Sequence, residues 1–246
     1  MTETTTLTVV FFCIALLSAM VGHAGASAYL ATMVIAGMTP AEMKPIALLL
    51  NIVVASIATT IYLRRGCFRW DVFWPFAITS IPFAFLGGTL PIHGTIYKIL
   101  VGLALIFTAL RFSFGVKKIQ AGSTSCHPPS RILALLVGSG LGLLSGMTGI
   151  GGGVFLSPLL LTCRWSAPRS TSGIAAAFIL LNSISGLLGH GLSSHTLAPH
   201  MSLWAFVVAC GGSLGAALGS NSLPVRQIYY ALSLLLLIAG IKLIVL

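Results

Sequence analysis

Two glycine-rich breaks interrupt apolar runs, one in each half of the chain: Gly22-His23-Ala24-Gly25 and Gly149-Ile150-Gly151-Gly152-Gly153. Glycine lets a helix open because it has no Cβ. Where an apolar helix restarts after such a break, its first N–H groups have no intrahelical partner, and the positive end of the helix dipole points out of it. That is an anion site. Ser27 follows the first break and Thr148 precedes the second. With Ser145 and Ser185 they are hydroxyl donors near the tips, although such a hydroxyl more often bonds only to backbone.

Asn51 and Asn182-Ser183 lie deep in long apolar runs. An amide there is costly unless hydrogen-bonded. Each can hold an oxyanion or tie an opened tip to its neighbour, and both roles stay open. His23 can donate to an anion or carry a proton. Ile150 stands at the matching place, so the repeat itself does not require a histidine. The competing reading of the glycines is tight helix packing of the small-xxx-small kind. Four glycines within five residues, with a partner break in the other half, favour binding. The candidate binding set is Gly22, His23, Gly25, Ser27, Asn51, Thr148, Gly149, Gly151, Gly152, Gly153, Asn182 and Ser183.

Apolar helices must position these residues. Of 246 residues, 57% are hydrophobic and 7% charged, and mean hydropathy is +1.05. An ordinary soluble domain is about 25% charged, so the chain is an all-α polytopic membrane protein. A β-barrel would show alternating strands instead of continuous apolar runs. The apolar segments are 7–21, 27–37, 45–63, 72–90, 95–114, 132–145, 154–163, 171–189, 201–219 and 227–246. The first of them is expected to be a retained segment rather than a signal peptide, because residues 1–10 contain no Lys or Arg.

Charge places the loops. Arg64, Arg65 and Arg69 outnumber Asp71 in one loop, and Lys117, Lys118 and Arg131 mark the central polar stretch. Both are expected in the cytoplasm, as is the loop with Arg164 and Arg169. The loop 190–200 has no Lys or Arg and is expected outside, with both termini. The neutral loop holding Glu42 and Lys44 is also expected outside.

Segment 154–163 is then too short to cross, about 15 Å against a core of about 30 Å. The expected architecture is two inverted repeats, each a broken or re-entrant helical hairpin plus three transmembrane helices. Residues 1–115 form the first repeat, 116–131 a cytoplasmic linker and 132–246 the second. The two tips are expected to meet near mid-membrane and to hold a small oxyanion without a buried Lys or Arg. The alternative is eight simple transmembrane helices, with the short segments at the surface.

The net charge of +10 does not indicate nucleic acid, because the cations are scattered at span ends. Only three carboxylates are present, which leaves little to hold a cation or metal and little to repel an anion. The five cysteines contain no CxxC pair, and Gly191 and Pro199 interrupt the run of His190, His195 and His200. No metal, cofactor or catalytic set is expected.

The run Gly149-Ile-Gly-Gly-Gly-Val-Phe-Leu-Ser-Pro158, then Trp165, Pro168 and Phe178-Ile-Leu-Leu-Asn182-Ser183-Ile-Ser-Gly186, resembles the sulfite exporter (TauE/SafE) family of membrane permeases. The first half agrees through Lys44-Pro-Ile-Ala-Leu-Leu-Leu-Asn51 and Arg64-Arg-Gly66. His23, Ala24 and Ala26 stand where further glycines are common in that family. The resemblance implies secondary transport of small sulfur-containing anions such as sulfite, thiosulfate or sulfonates, across a bacterial inner membrane. The partners expected are a small anionic solute and membrane lipid, with homo-oligomerisation open. A non-transporting assembly subunit and a permease for another small solute are the alternatives.

Overall fold

Capping signals and apolar composition dictate where the helices start. Thr39 and Glu42 form a capping box ahead of Pro40, the first-turn proline of a long helix. Ser130 caps another by accepting from the Leu133 N–H at 3.4 Å. The computed structural model describes residues 2–20, 22–90, 94–119, 127–191 and 200–219, together with 237, 238, 241 and 244. The described helices are α1 (Thr2–Ala19), α2 (Ala26–Ile35), α3 (Pro40–Arg64), α4 (Trp70–Thr89), α5 (Gly94–Ile119), α6 (Arg131–Thr148), α7 (Gly153–Thr162), α8 (Pro168–His190) and α9 (Met201–Gly219). Five of them, α3, α4, α6, α8 and α9, are long and apolar enough to cross a membrane. The expected final segment and the loop around His195 fall largely outside the described residues, as does much of the central linker.

α3 and α8 pack together and run antiparallel. Gly173 of α8 lies against Tyr62 of α3, and Gly186 against Leu48. Around this pair the helices associate reciprocally: α4 with α6 and α8, α9 with α1 and α3. Lipid supplies no hydrophobic drive between helices, so close backbone approach must do the work. In one seam Gly138, Gly142 and Gly146 of α6 abut Phe76, Ser80 and Ala84 of α4. In the other, Gly211 and Gly215 of α9 abut Phe12 and Leu16 of α1, and Gly219 abuts Met20 just after it. Four-residue spacing puts each glycine set on one helix face, and a Cβ at any of these six positions would strike the partner backbone. The two seams are the same device with the glycines on opposite members of the pair.

Two apolar clusters fill the interior. The larger joins α1, α2, α3, α5, α7, α8 and α9 around Tyr29, Phe11 and Trp204; the Phe11 ring meets those of Tyr29 and Trp204 edge-on at 5.3 and 5.2 Å. The smaller joins α4, α6, α7 and α8 around Phe76 and Phe178. Trp70 and Trp74 stack at 5.9 Å at the start of α4, beside Arg64, Arg65 and Arg69. Half-exposed tryptophans next to cations suit a membrane–water interface.

Candidate functional site

Both breaks are built from left-handed glycines. Gly22 and Gly25 have φ of 76° and 95°; Gly149, Gly151 and Gly152 have 80°, 83° and 72°. A side chain at these angles is strained by its own Cβ. The short helices α2 and α7, ten residues each, start at Gly25 and Gly152, and no side chain caps either start. At α7 the Gly153 N–H donates back to Gly151 O at 2.9 Å and the Phe155 N–H to Gly152 O at 3.1 Å, so part of that first turn is satisfied within the tip itself.

The first tip is closed by backbone. The Gly22 N–H donates to Ala19 O at 3.1 Å and the His23 N–H to Ser18 O at 2.9 Å. The Tyr62 hydroxyl donates to the carbonyls of Ala19 and Met20 at 3.4 and 3.3 Å. Gly22 lies directly on Ser172 of α8, and Gly25 packs on Ile14 and Tyr29. His23 and Ser27 are both buried beside it.

The second tip is held by side chains from three other helices. The Asn51 amide nitrogen in α3 donates to Ile150 O and to Ser183 Oγ, both at 3.4 Å. The Tyr97 hydroxyl in α5 donates to Thr148 O at 3.2 Å. Gly151 sits among Ile179, Asn51 and Ser183, and Gly152 against Phe178 and Ser145. Gly153 presses on Ile179. The Thr148 hydroxyl donates to Leu144 O at 2.7 Å and accepts from the Ile150 N–H at 3.4 Å, so it serves the backbone of the tip. Asn182 donates within its own helix, to Phe178 O at 2.8 Å. The buried Oδ1 of Asn51, Oδ1 of Asn182 and Oγ of Ser145 have no hydrogen-bond partner among the described residues.

This arrangement brings Asn51, Ser183 and Gly149 to Gly153 together. Ala24 of the first tip and Ile150 and Val154 of the second belong to the same buried apolar cluster. Gly22 abuts Ser172, whereas Gly151 abuts Ser183 on the same helix. Eleven residues of helix separate those contacts by about 16 Å.

One correction concerns Lys44. It is not in a loop but in the second turn of α3, and it is buried at 5% exposure. Its stem lies against Gly149, and its Nζ donates to Gly88 O at 3.4 Å. The site thus carries a buried cation that sequence reasoning excluded. The signal was present in Thr39-Pro40-Ala41-Glu42, which starts the helix ahead of Lys44. Tyr62 and Tyr97 gave no such signal, because only the fold brings them to the tips.

Residues 7–243 match the profile described as sulfite exporter TauE/SafE. A probable membrane transporter protein of Sinorhizobium fredii is 38% identical over 244 residues, 99% of each chain. One from Methanocaldococcus jannaschii is 30% identical over 127 residues, covering 50% of this chain and 45% of its own. One from Bacillus subtilis is 24% identical over 163 residues, covering 61% and 57%. No solved structure matches the sequence. These relatives are named as membrane transporters and not as enzymes, and the apolar helices make this chain a multi-pass integral membrane protein. With the match running almost end to end, the chain belongs to the sulfite exporter TauE/SafE family.

Proposed function

We propose that the protein is a secondary transporter of small anions, of the sulfur oxyanion or organosulfonate class, working by alternating access in a bacterial inner membrane. The solute is held near mid-membrane, between the two glycine-rich broken helices. The binding groups are the N–H groups at Gly25 and Ser27 on one side and at Gly151 and Gly152 on the other, while Gly22, His23, Gly149 and Gly153, whose N–H groups bond within the tips, shape the turns. Asn51, Asn182 and Ser183 line or brace the path, and Thr148 shapes the second tip.

The observation that carries this reading is the reciprocal packing. In chain order the first four helices have 18, 10, 25 and 20 residues; α6 to α9 have 18, 10, 23 and 19. Each hairpin's first helix packs on the fourth helix of the other half, and the two third helices pair antiparallel on the axis. This supports two inverted repeats, residues 1–115 and 132–246, joined by the linker 116–131. An exchange of roles between such halves opens the path to either side. The shortage of carboxylates and the uncapped, positive starts of α2 and α7 favour an anionic cargo.

The test is flux. Proteoliposomes carrying the protein should move radiolabelled sulfite, thiosulfate or a simple sulfonate. If none of the three crosses, the substrate class is wrong.

A further inference from the structure

Among the described residues the one buried lysine, arginine or carboxylate is Lys44. A lysine near a span end ordinarily runs its stem out to interfacial water. Lys44 instead turns its ammonium inward, to a single long bond with the Gly88 carbonyl of α4. Among the described residues no carboxylate pairs with it. Asp71 is taken by Arg69, and Glu42 accepts from the Thr39 hydroxyl and N–H. The neighbouring titratable group is His190, half-buried at the end of α8 and within electrostatic range of Lys44. Its charge, when present, has the same sign.

A buried cation with one neutral acceptor and a cationic neighbour is costly, and inside a membrane domain such a group marks a solute or ion path. The same end of the molecule holds a buried hydroxyl, Ser145 Oγ, with no partner among the described residues. The corresponding place beside the first tip is Ser172, which meets Gly22 as Lys44 meets Gly149. The cation therefore stands on one side only.

We propose that Lys44 is the specificity-determining residue of the anion path: its ammonium leaves the Gly88 carbonyl and binds an oxygen of the sulfur oxyanion on the Gly149 side of the second tip. The proposal rests on the transport reading above and adds to it the group that recognises charge. An ammonium supplies three donors as a compact point charge, which suits sulfite, thiosulfate and sulfonate oxygens alike. Neutral analogues gain nothing from it.

The experiment compares wild type, Lys44→Met and Lys44→Arg in proteoliposomes with radiolabelled sulfite and thiosulfate. Lys44→Met should raise KM about tenfold or more, the loss of one charged hydrogen bond, with a smaller change in maximal rate. Lys44→Arg should recover most of the affinity. An unchanged KM in Lys44→Met beside active wild type overturns the proposal and leaves the transport reading standing. Wild type that carries none of the anions overturns both. Thiosulfate should also raise the Tm of the detergent-solubilised wild type. That rise should vanish in Lys44→Met, or in Lys44→Gln where the methionine variant does not fold; a rise retained in the neutral variant overturns the proposal.

Discussion

The two glycine tips make the same backbone break and treat it differently. At the first, backbone bonds and Tyr62 close the turn, and Gly22 is pressed onto the backbone of Ser172. At the second, Asn51, Tyr97 and Ser183 reach in from three helices, with the stem of Lys44 alongside. The first tip is a packing joint, and the second is a polar assembly set on a similar joint. A shared fold motif therefore does not imply shared chemistry, even within one chain.

The largest effect should come from Gly152→Val. The left-handed φ of 72° is strained for any side chain and more so for a β-branched one, and the new Cβ meets Phe178. Transport should be abolished while the protein still inserts, as read by flux beside monodispersity in detergent. Normal flux in well-folded Gly152→Val protein would remove the second tip from the path.

Alanine at the two tips sharpens the contrast. Gly22→Ala adds a Cβ against the Ser172 backbone, which cannot step aside. Gly149→Ala meets the flexible Lys44 stem at 3.3 Å and pays mainly for its left-handed φ. Gly149→Ala should cost about 1–2 kcal/mol and Gly22→Ala clearly more, measured as Tm. Equal losses would break the distinction between joint and polar assembly.

The asparagines give the smallest effect. Asn51 bridges the second tip to Ser183, whereas Asn182 bonds along its own helix. Asn51→Ala should destabilise by about 1–3 kcal/mol and reduce flux. Asn182→Ala should cost less in Tm and weaken transport less uniformly across substrates. A larger stability loss in Asn182→Ala than in Asn51→Ala would contradict this ranking.

Much of this was legible in the residues. Hydropathy located the short segments that became α2 and α7, and the clustered glycines marked both breaks. Asn51 stood out because a deep amide must find a partner, and it finds Ile150 and Ser183. What hydropathy could not supply was depth. Starting the third segment at Pro45 left Lys44 in a loop, although Thr39, Pro40 and Glu42 already carried the start of α3. Where Gly22 and Gly151 land along α8 was beyond the sequence. No local pattern encodes that register; it follows from the close-packed seams of α6 on α4 and α9 on α1.

The central claim is that the halves lie in opposite orientations, so the equivalent turns α2–α3 and α7–α8 must face opposite sides of the membrane. Single-cysteine proteins, with Ala36→Cys in the first turn or the native Cys163 in the second, expose their probes at these places. A membrane-impermeant maleimide added outside intact cells should label Ala36→Cys and spare Cys163. Labelling of both from the same side would contradict the inverted arrangement and the alternating path built on it.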